Sequence, residues 1–138
     1  MPRRFLFLVA SLLISGAAQA CGYCVEDKIA SVYDHALVTQ TLARKHHVAF
    51  FHVDGALPPG EAGRRLLEAA AASTAGIDRG SARIAVETLT LAVAFDPHRS
   101  SLTAVQTGLE KNLAAKKLTL LPLRVIDGTA QLSAVKPK

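Results

Sequence analysis

The chain has 138 residues, 50% of them hydrophobic, with 16 Lys and Arg against 11 Asp and Glu and only two cysteines. That length holds one domain core. The composition excludes a disordered, a collagen-like and a multi-disulfide chain.

Residues 1–20 read as an address. Arg3 and Arg4 precede an apolar run from Phe5 to Ile14 broken only by Ser11, and Ala18-Gln19-Ala20 forms an A-x-A exit just before Cys21. A basic start, a short apolar centre and small residues at the exit make a secretory signal peptide, too short to span a bilayer comfortably. The expectation is cleavage after Ala20 and export to the periplasm. Lipid attachment at Cys21 is the second reading, although Gln19 fits a lipoprotein box poorly. Loss of Arg3 and Arg4 takes the 16 basic residues to 14, against 11 acidic ones. Charge this mild, scattered and without interleaved aromatics gives no nucleic-acid face. No other stretch has the length of a membrane span, so membrane contact is expected only through a lipidated Cys21.

Cys21-Gly22-Tyr23-Cys24 opens a leader that runs to residue 45. Val25, Ile29, Val32, Ala36 and Leu37 form one stripe and predict an amphipathic helix. Glu26 and Asp27 in its first turn and Arg44 and Lys45 in its last suit the helix dipole. The Val38-Thr39-Gln40-Thr41 stretch is where a break or short strand is expected.

From residue 46 to residue 127 the pattern alternates. His46 to Asp54 predicts a strand with Val48 and Phe50 on one face and Phe51 and Val53 on the other. Gly55 to Gly60, with Pro58-Pro59, is a turn. Glu61 to Ala75 predicts a helix with Ala62, Leu66, Leu67 and Ala70 inward and Gly76 as its stop. Ala82 to Phe95 predicts two strands bent near Glu87-Thr88, the second burying Leu89, Leu91, Val93 and Phe95 on one face. Ser100 or Ser101 caps a helix striped by Leu102, Val105, Leu109 and Leu113. Leu118 to Ile126 is the last strand, and Asp127-Gly128 leads into a polar tail over residues 128–138.

This order of strand, helix, strand, strand, helix, strand is the split βαβ pattern of an α+β, ferredoxin-like βαββαβ sandwich, here preceded by an amphipathic N-terminal helix. The last strand then lies at a sheet edge, where Pro122 is tolerated. Helices cover one face of such a sheet, and the leader is expected to shield part of the other.

Val48 to Ile126 resembles a heavy-metal-associated domain, the small fold of copper chaperones and metal-transporting ATPases. The resemblance is carried by F-H-V-D-G at 51–55, A-G-I-D at 75–78, T-L-A-V-A-F-D-P at 90–97, and the helix that begins Ser100-Ser101-Leu102. It implies a ferredoxin-like fold and soft-metal handling. The family carries a Gly-Met-x-Cys-x-x-Cys loop after its first strand. Residues 55–61 here, G-A-L-P-P-G-E, hold no cysteine, so the family's ligands do not carry over to this loop.

The chemistry therefore concentrates at Cys21 and Cys24, which a helix N-terminus favours as thiolates through its free amides and dipole. Three readings are open. The pair binds Cu(I) or another soft metal ion; it forms a structural Cys21-Cys24 disulfide in a non-catalytic interaction domain; or it exchanges disulfides, as Cys-Gly-Tyr-Cys resembles a disulfide-isomerase tetrapeptide. The last reading lacks the strand that a thioredoxin fold needs before its cysteines. Haem attachment is excluded because residue 25 is Val. His46 or His47 is a possible third metal ligand if folding brings it to the leader. His35, about 16 Å up a continuous helix from Cys24, is too far. Asp34-His35 with any serine makes no triad without geometry, so no enzyme is expected. The leading reading is a periplasmic soft-metal binding protein, with a metal-transport or envelope protein as partner.

Overall fold

The computed structural model describes residues 24–129; the expected signal peptide, Cys21 and most of the expected polar tail lie outside the described residues. In chain order the elements are α1 (Val25–Val32), α2 (His35–Ala43), β1 (His47–Asp54), α3 (Gly60–Ser73), β2 (Arg83–Ala85), β3 (Thr90–Phe95), α4 (Leu102–Leu113) and β4 (Thr119–Ile126). The four strands form one antiparallel sheet in the order β2-β3-β1-β4. With α3 and α4 joining them, this is the expected ferredoxin-like sandwich.

Alternation along β1 and β3 sorts side chains to two cores. Ala49, Phe51 and Val53 of β1 and Leu91, Val93 and Phe95 of β3 meet Leu67 and Ala70 of α3 and Val105, Leu109 and Leu113 of α4. Val48, Phe50 and Ala92 face the other way, onto Ile29 and Val32 of α1 and Val38 of α2. The leader thus covers the sheet face that α3 and α4 leave open. Edge strand β4 carries Pro122 on its exposed side, and its register against β1 slips between Phe50 and Phe51.

Four expectations are corrected. The leader is two helices, broken at Tyr33-Asp34 rather than within Val38–Thr41. Asp34 acts as the N-cap of α2, accepting from the Leu37 amide at 3.1 Å, and pairs with Arg83 at 2.9 Å. Val38 and Thr41 stay helical because packing against β1 outweighs their weak helix propensity. Of the predicted stripe Ile29, Val32 and Leu37 are buried while Val25 and Ala36 are exposed, and Val38 and Thr41 are buried as well. In α3 the buried face is Gly63, Leu67, Ala70 and Ala71, with Ala62 outside. Gly63 is required there because a Cβ would sit 2.0 Å from the Pro58 carbonyl oxygen. Helix α3 also stops at Ser73, short of Ala75: the Thr74 hydroxyl donates to the Ala70 carbonyl at 2.7 Å, and the chain turns at Gly76 with φ 90°. Ser101, not Ser100, caps α4, accepting from the Ala104 amide at 3.1 Å.

Candidate metal centre

Cys24 is the N-cap of α1, and its free, exposed thiol donates to Asp27 Oδ2 at 3.1 Å. The Cys-x-x-Asp spacing places donor and acceptor one turn apart, a pairing visible in sequence once the helix start is fixed. Val25 to Asp27 supply the unpaired first-turn amides of the helix.

Two clamps hold this helix end over the sheet. Glu26 is paired with Arg124 of β4, including a contact of 3.2 Å from Nη1 to Oε2. The hydrogen bond and then the charge of Arg124 hold the Glu26 carboxyl below its ordinary value, and Glu26 raises Arg124 in return. Lys28 Nζ donates to the Thr88 carbonyl at 2.7 Å and lies 3.2 Å from His52 Nδ1. Ser31 and Thr88 hydroxyls meet at 2.8 Å. At its far end, Tyr33 shares a groove with Ile126. Helix α1 is thus held to β4 through Glu26 and to the β2–β3 connection through Lys28 and Ser31. Cys24 stands one turn before Lys28, which meets His52 near the end of β1.

His46 and His47 are at the other end. They precede His52 by six and five residues, about 20 and 17 Å along a strand. His46 Nδ1 lies 2.7 Å from Asp78 Oδ2 and its Nε2 3.8 Å from Asp96 Oδ2, with Arg44 3.6 Å from Asp78. His47 packs edge-on against Phe95 at 5.5 Å, with its Nε2 3.0 Å from Asp127 Oδ1 but without hydrogen-bond alignment. His46 ties the α2–β1, α3–β2 and β3–α4 connections together, and neither histidine is grouped with Cys24 into a three-donor site among the described residues. Sequence offered no signal for this cluster, in which His46 and Asp78 are 32 residues apart.

His35 and His98 are exposed, and His52 is half-buried beside Lys28. No three His, Cys, Asp or Glu side chains among the described residues are grouped so as to hold a metal ion. The Cys24 thiol is thus exposed at the start of α1, and Cys21 lies outside the described residues.

Two solved structures are similar. A copper-binding domain from HMA7, a P-type ATPase, is 19% identical, with a TM-score of 0.47 over 57% of this chain and 96% of that chain. Oxidized MerP from Ralstonia metallidurans CH34 is 16% identical, with a TM-score of 0.44 over 57% of this chain and 99% of that one. Neither the protein-family models nor the curated proteins give a match.

Proposed function

We infer that the protein binds a soft metal ion, Cu(I) or a close relative, through the thiolates of Cys21 and Cys24. The observation that carries this reading is the place of Cys24: a free, exposed thiol at a helix N-terminus, clamped one turn away by Lys28 and Glu26, three residues from the other cysteine. Thiolates select Cu(I) over harder cations. Metal binding would displace the Cys24 thiol proton to solvent, exchanging the thiol–Asp27 hydrogen bond for a metal–sulfur bond. Asp27, Glu26 and Lys28 then serve to position and anchor the helix end. After signal cleavage at Ala20, Cys21 also becomes the N-terminal residue, whose α-amine adds a hard donor. The protein acts in the periplasm as a non-enzymatic carrier, exchanging metal with a transport or envelope protein.

The test is a Cu(I) titration of the reduced chain from residue 21 against a chromogenic chelator, with Cys21→Ser/Cys24→Ser in parallel. One-to-one competition, lost in the double variant while its melting temperature is unchanged, is the expected result. Failure to compete overturns the reading. An intact mass two hydrogens short, from protein recovered after export, then favours the disulfide-stapled interaction domain.

A further inference from the structure

The sheet ends in β2 on one side and β4 on the other, and the chain treats these two edges differently. The β4 edge is closed. The Val53 amide of β1 donates to the Leu89 carbonyl on its β3 side, so Leu120, its partner on β4, turns its backbone amide and carbonyl outward. Two side chains one turn apart on α4 take them. The Leu120 amide donates to Glu110 Oε1 at 2.8 Å, and Gln106 Nε2 donates to the Leu120 carbonyl at 2.9 Å. Pro122, two residues on, has no amide to offer.

The β2 edge is not closed in this way. On β3 the Ala94 amide donates to Ser81 Oγ at 3.0 Å and its carbonyl accepts from the Asp78 amide at 2.8 Å. Ala94 therefore faces the β2 side, and by alternation so do Ala92 and Thr90. Their partners Arg83 and Ala85 bond inward, and Ile84 between them points its amide and carbonyl away from the sheet. On that carbonyl rests Arg64 Nη2 of α3 at 3.5 Å, the outer limit of a hydrogen bond. A groove of about 220 Å³ passes round this edge, because its walls come from both layers: Val32, Tyr33 and Asp34 of the leader, Arg64 of α3, and Arg83 and Ile84 of the strand itself.

We propose that the β2 edge takes an extended, acidic segment of a partner protein as a fifth strand. The outward amide and carbonyl of Ile84 exchange hydrogen bonds with one residue of the added strand, which fixes its conformation. A strand of three residues offers few main-chain bonds, so side chains supply the rest, and those at this edge are cationic. Arg64 stands on the α3 face, Arg83 on the leader face beside Asp34, and Arg79 is exposed in the connection just before β2. Of the acids nearby, Glu68 is a loose 3.7 Å from Arg64, and Asp34 is already engaged by the Leu37 amide. Successive residues of an added strand point to opposite faces, so two adjacent carboxylates meet one arginine each. Arg64 then exchanges its long bond to the Ile84 carbonyl for a carboxylate, and that carbonyl is released to the incoming amide. This inference does not depend on metal binding.

The experiment titrates the reduced, isotope-labelled chain from residue 21 with the end-blocked peptide Thr-Val-Glu-Glu-Val-Thr and follows the backbone amides by NMR. Thr-Val-Lys-Lys-Val-Thr reverses the charge, and Thr-Pro-Glu-Glu-Pro-Thr keeps it while preventing strand pairing. The acidic peptide is expected to shift the amides of residues 82–85 and to slow hydrogen exchange at Ile84, with Leu120 unchanged, and the two other peptides to do neither. Arg64→Gln is expected to weaken binding about threefold with an unchanged melting temperature. Four results would each overturn the proposal: no change at β2 with millimolar peptide, equal binding of the lysine or proline peptide, shifts centred on β4, or concentration-dependent shifts at β2 without peptide, which assign the edge to a second copy of the chain.

Discussion

The leader is part of the fold, and Ile29→Ala measures how much. Ile29 is 6% exposed and packs with Val32, Val38, Val48, Phe50, Ala85 and Ala92 in the core between leader and sheet. Truncating a buried isoleucine removes its transfer free energy and leaves a cavity, about 2–5 kcal/mol in well-packed sites. Ile29 also borders the open groove beside Arg124 and Ile126, where neighbours can relax inward, which places the cost near the lower limit, about 2–3 kcal/mol. Alanine's better helix propensity returns no more than about 0.4 kcal/mol. For a domain of this size the loss corresponds to a melting temperature lower by about 10–20 °C. Urea unfolding should show the lower midpoint in one transition with the slope preserved, because leader and sheet unfold together. Leu109→Ala, at 0% exposure in the core of the other face, provides the comparison at about 3–5 kcal/mol. A change below about 0.5 kcal/mol for Ile29→Ala, the level of an ordinary surface substitution, would refute the idea that the leader is docked.

Two other perturbations bear on the same face. Thr41 is fully buried and its hydroxyl has no hydrogen-bond partner; Thr41→Val removes that uncompensated group at nearly constant shape and should stabilise by about 1 kcal/mol in urea unfolding, and a loss of stability would contradict the orphaned hydroxyl. The Leu37 amide, followed by the Arg83 hydrogen bond, holds the Asp34 carboxyl below its ordinary value. A depressed folded-state value means that its stabilisation is present above the unfolded carboxyl range, near pH 4, and is lost as pH falls through the folded value. Asp34→Asn should therefore flatten the acid limb of the stability–pH curve, and an unaltered acid limb would show that the cap and ion pair contribute nothing.

What the sequence disclosed follows from how local each determinant is. Leu91, Val93 and Phe95 alternate against Thr90, Ala92 and Ala94, and Leu102, Val105, Leu109 and Leu113 repeat at helical spacing. Each pattern names its element and its buried face without knowledge of the rest of the chain. The edge position of β4 was legible in the same way, from Pro122. The leader's break was not, because Asp34 works as a cap only where the chain has room to turn, and its partner Arg83 is 49 residues away. The contacts of His46 were not legible for a related reason. A residue type suited to metal carries no address, and the Asp78 and Asp96 carboxylates that claim His46 arrive on two later connections. At the cysteines the sequence offered candidate donors, and the fold adds Asp27 as acceptor for Cys24 and the clamps of Lys28 and Glu26.

Those clamps couple the site to the core. A ferredoxin-like sheet has one face left over after its two helices have docked, and here Ile29 and Val32 close it. The same helix begins at Cys24. The burial that stabilises the second face thus also determines where the thiol stands, at the N-cap of the docked helix. A thiol on an unanchored arm would have to lose its conformational freedom on meeting a metal, at about 1–2 kcal/mol for each backbone residue ordered. Cys24 has lost that freedom already, because the hydrogen bond from Lys28 to Thr88 and the Glu26–Arg124 pair fix the turn that follows it. Undocking the leader should accordingly weaken metal affinity even with both cysteines intact, so stability and affinity should fall together in Ile29→Ala and separately in Cys24→Ser.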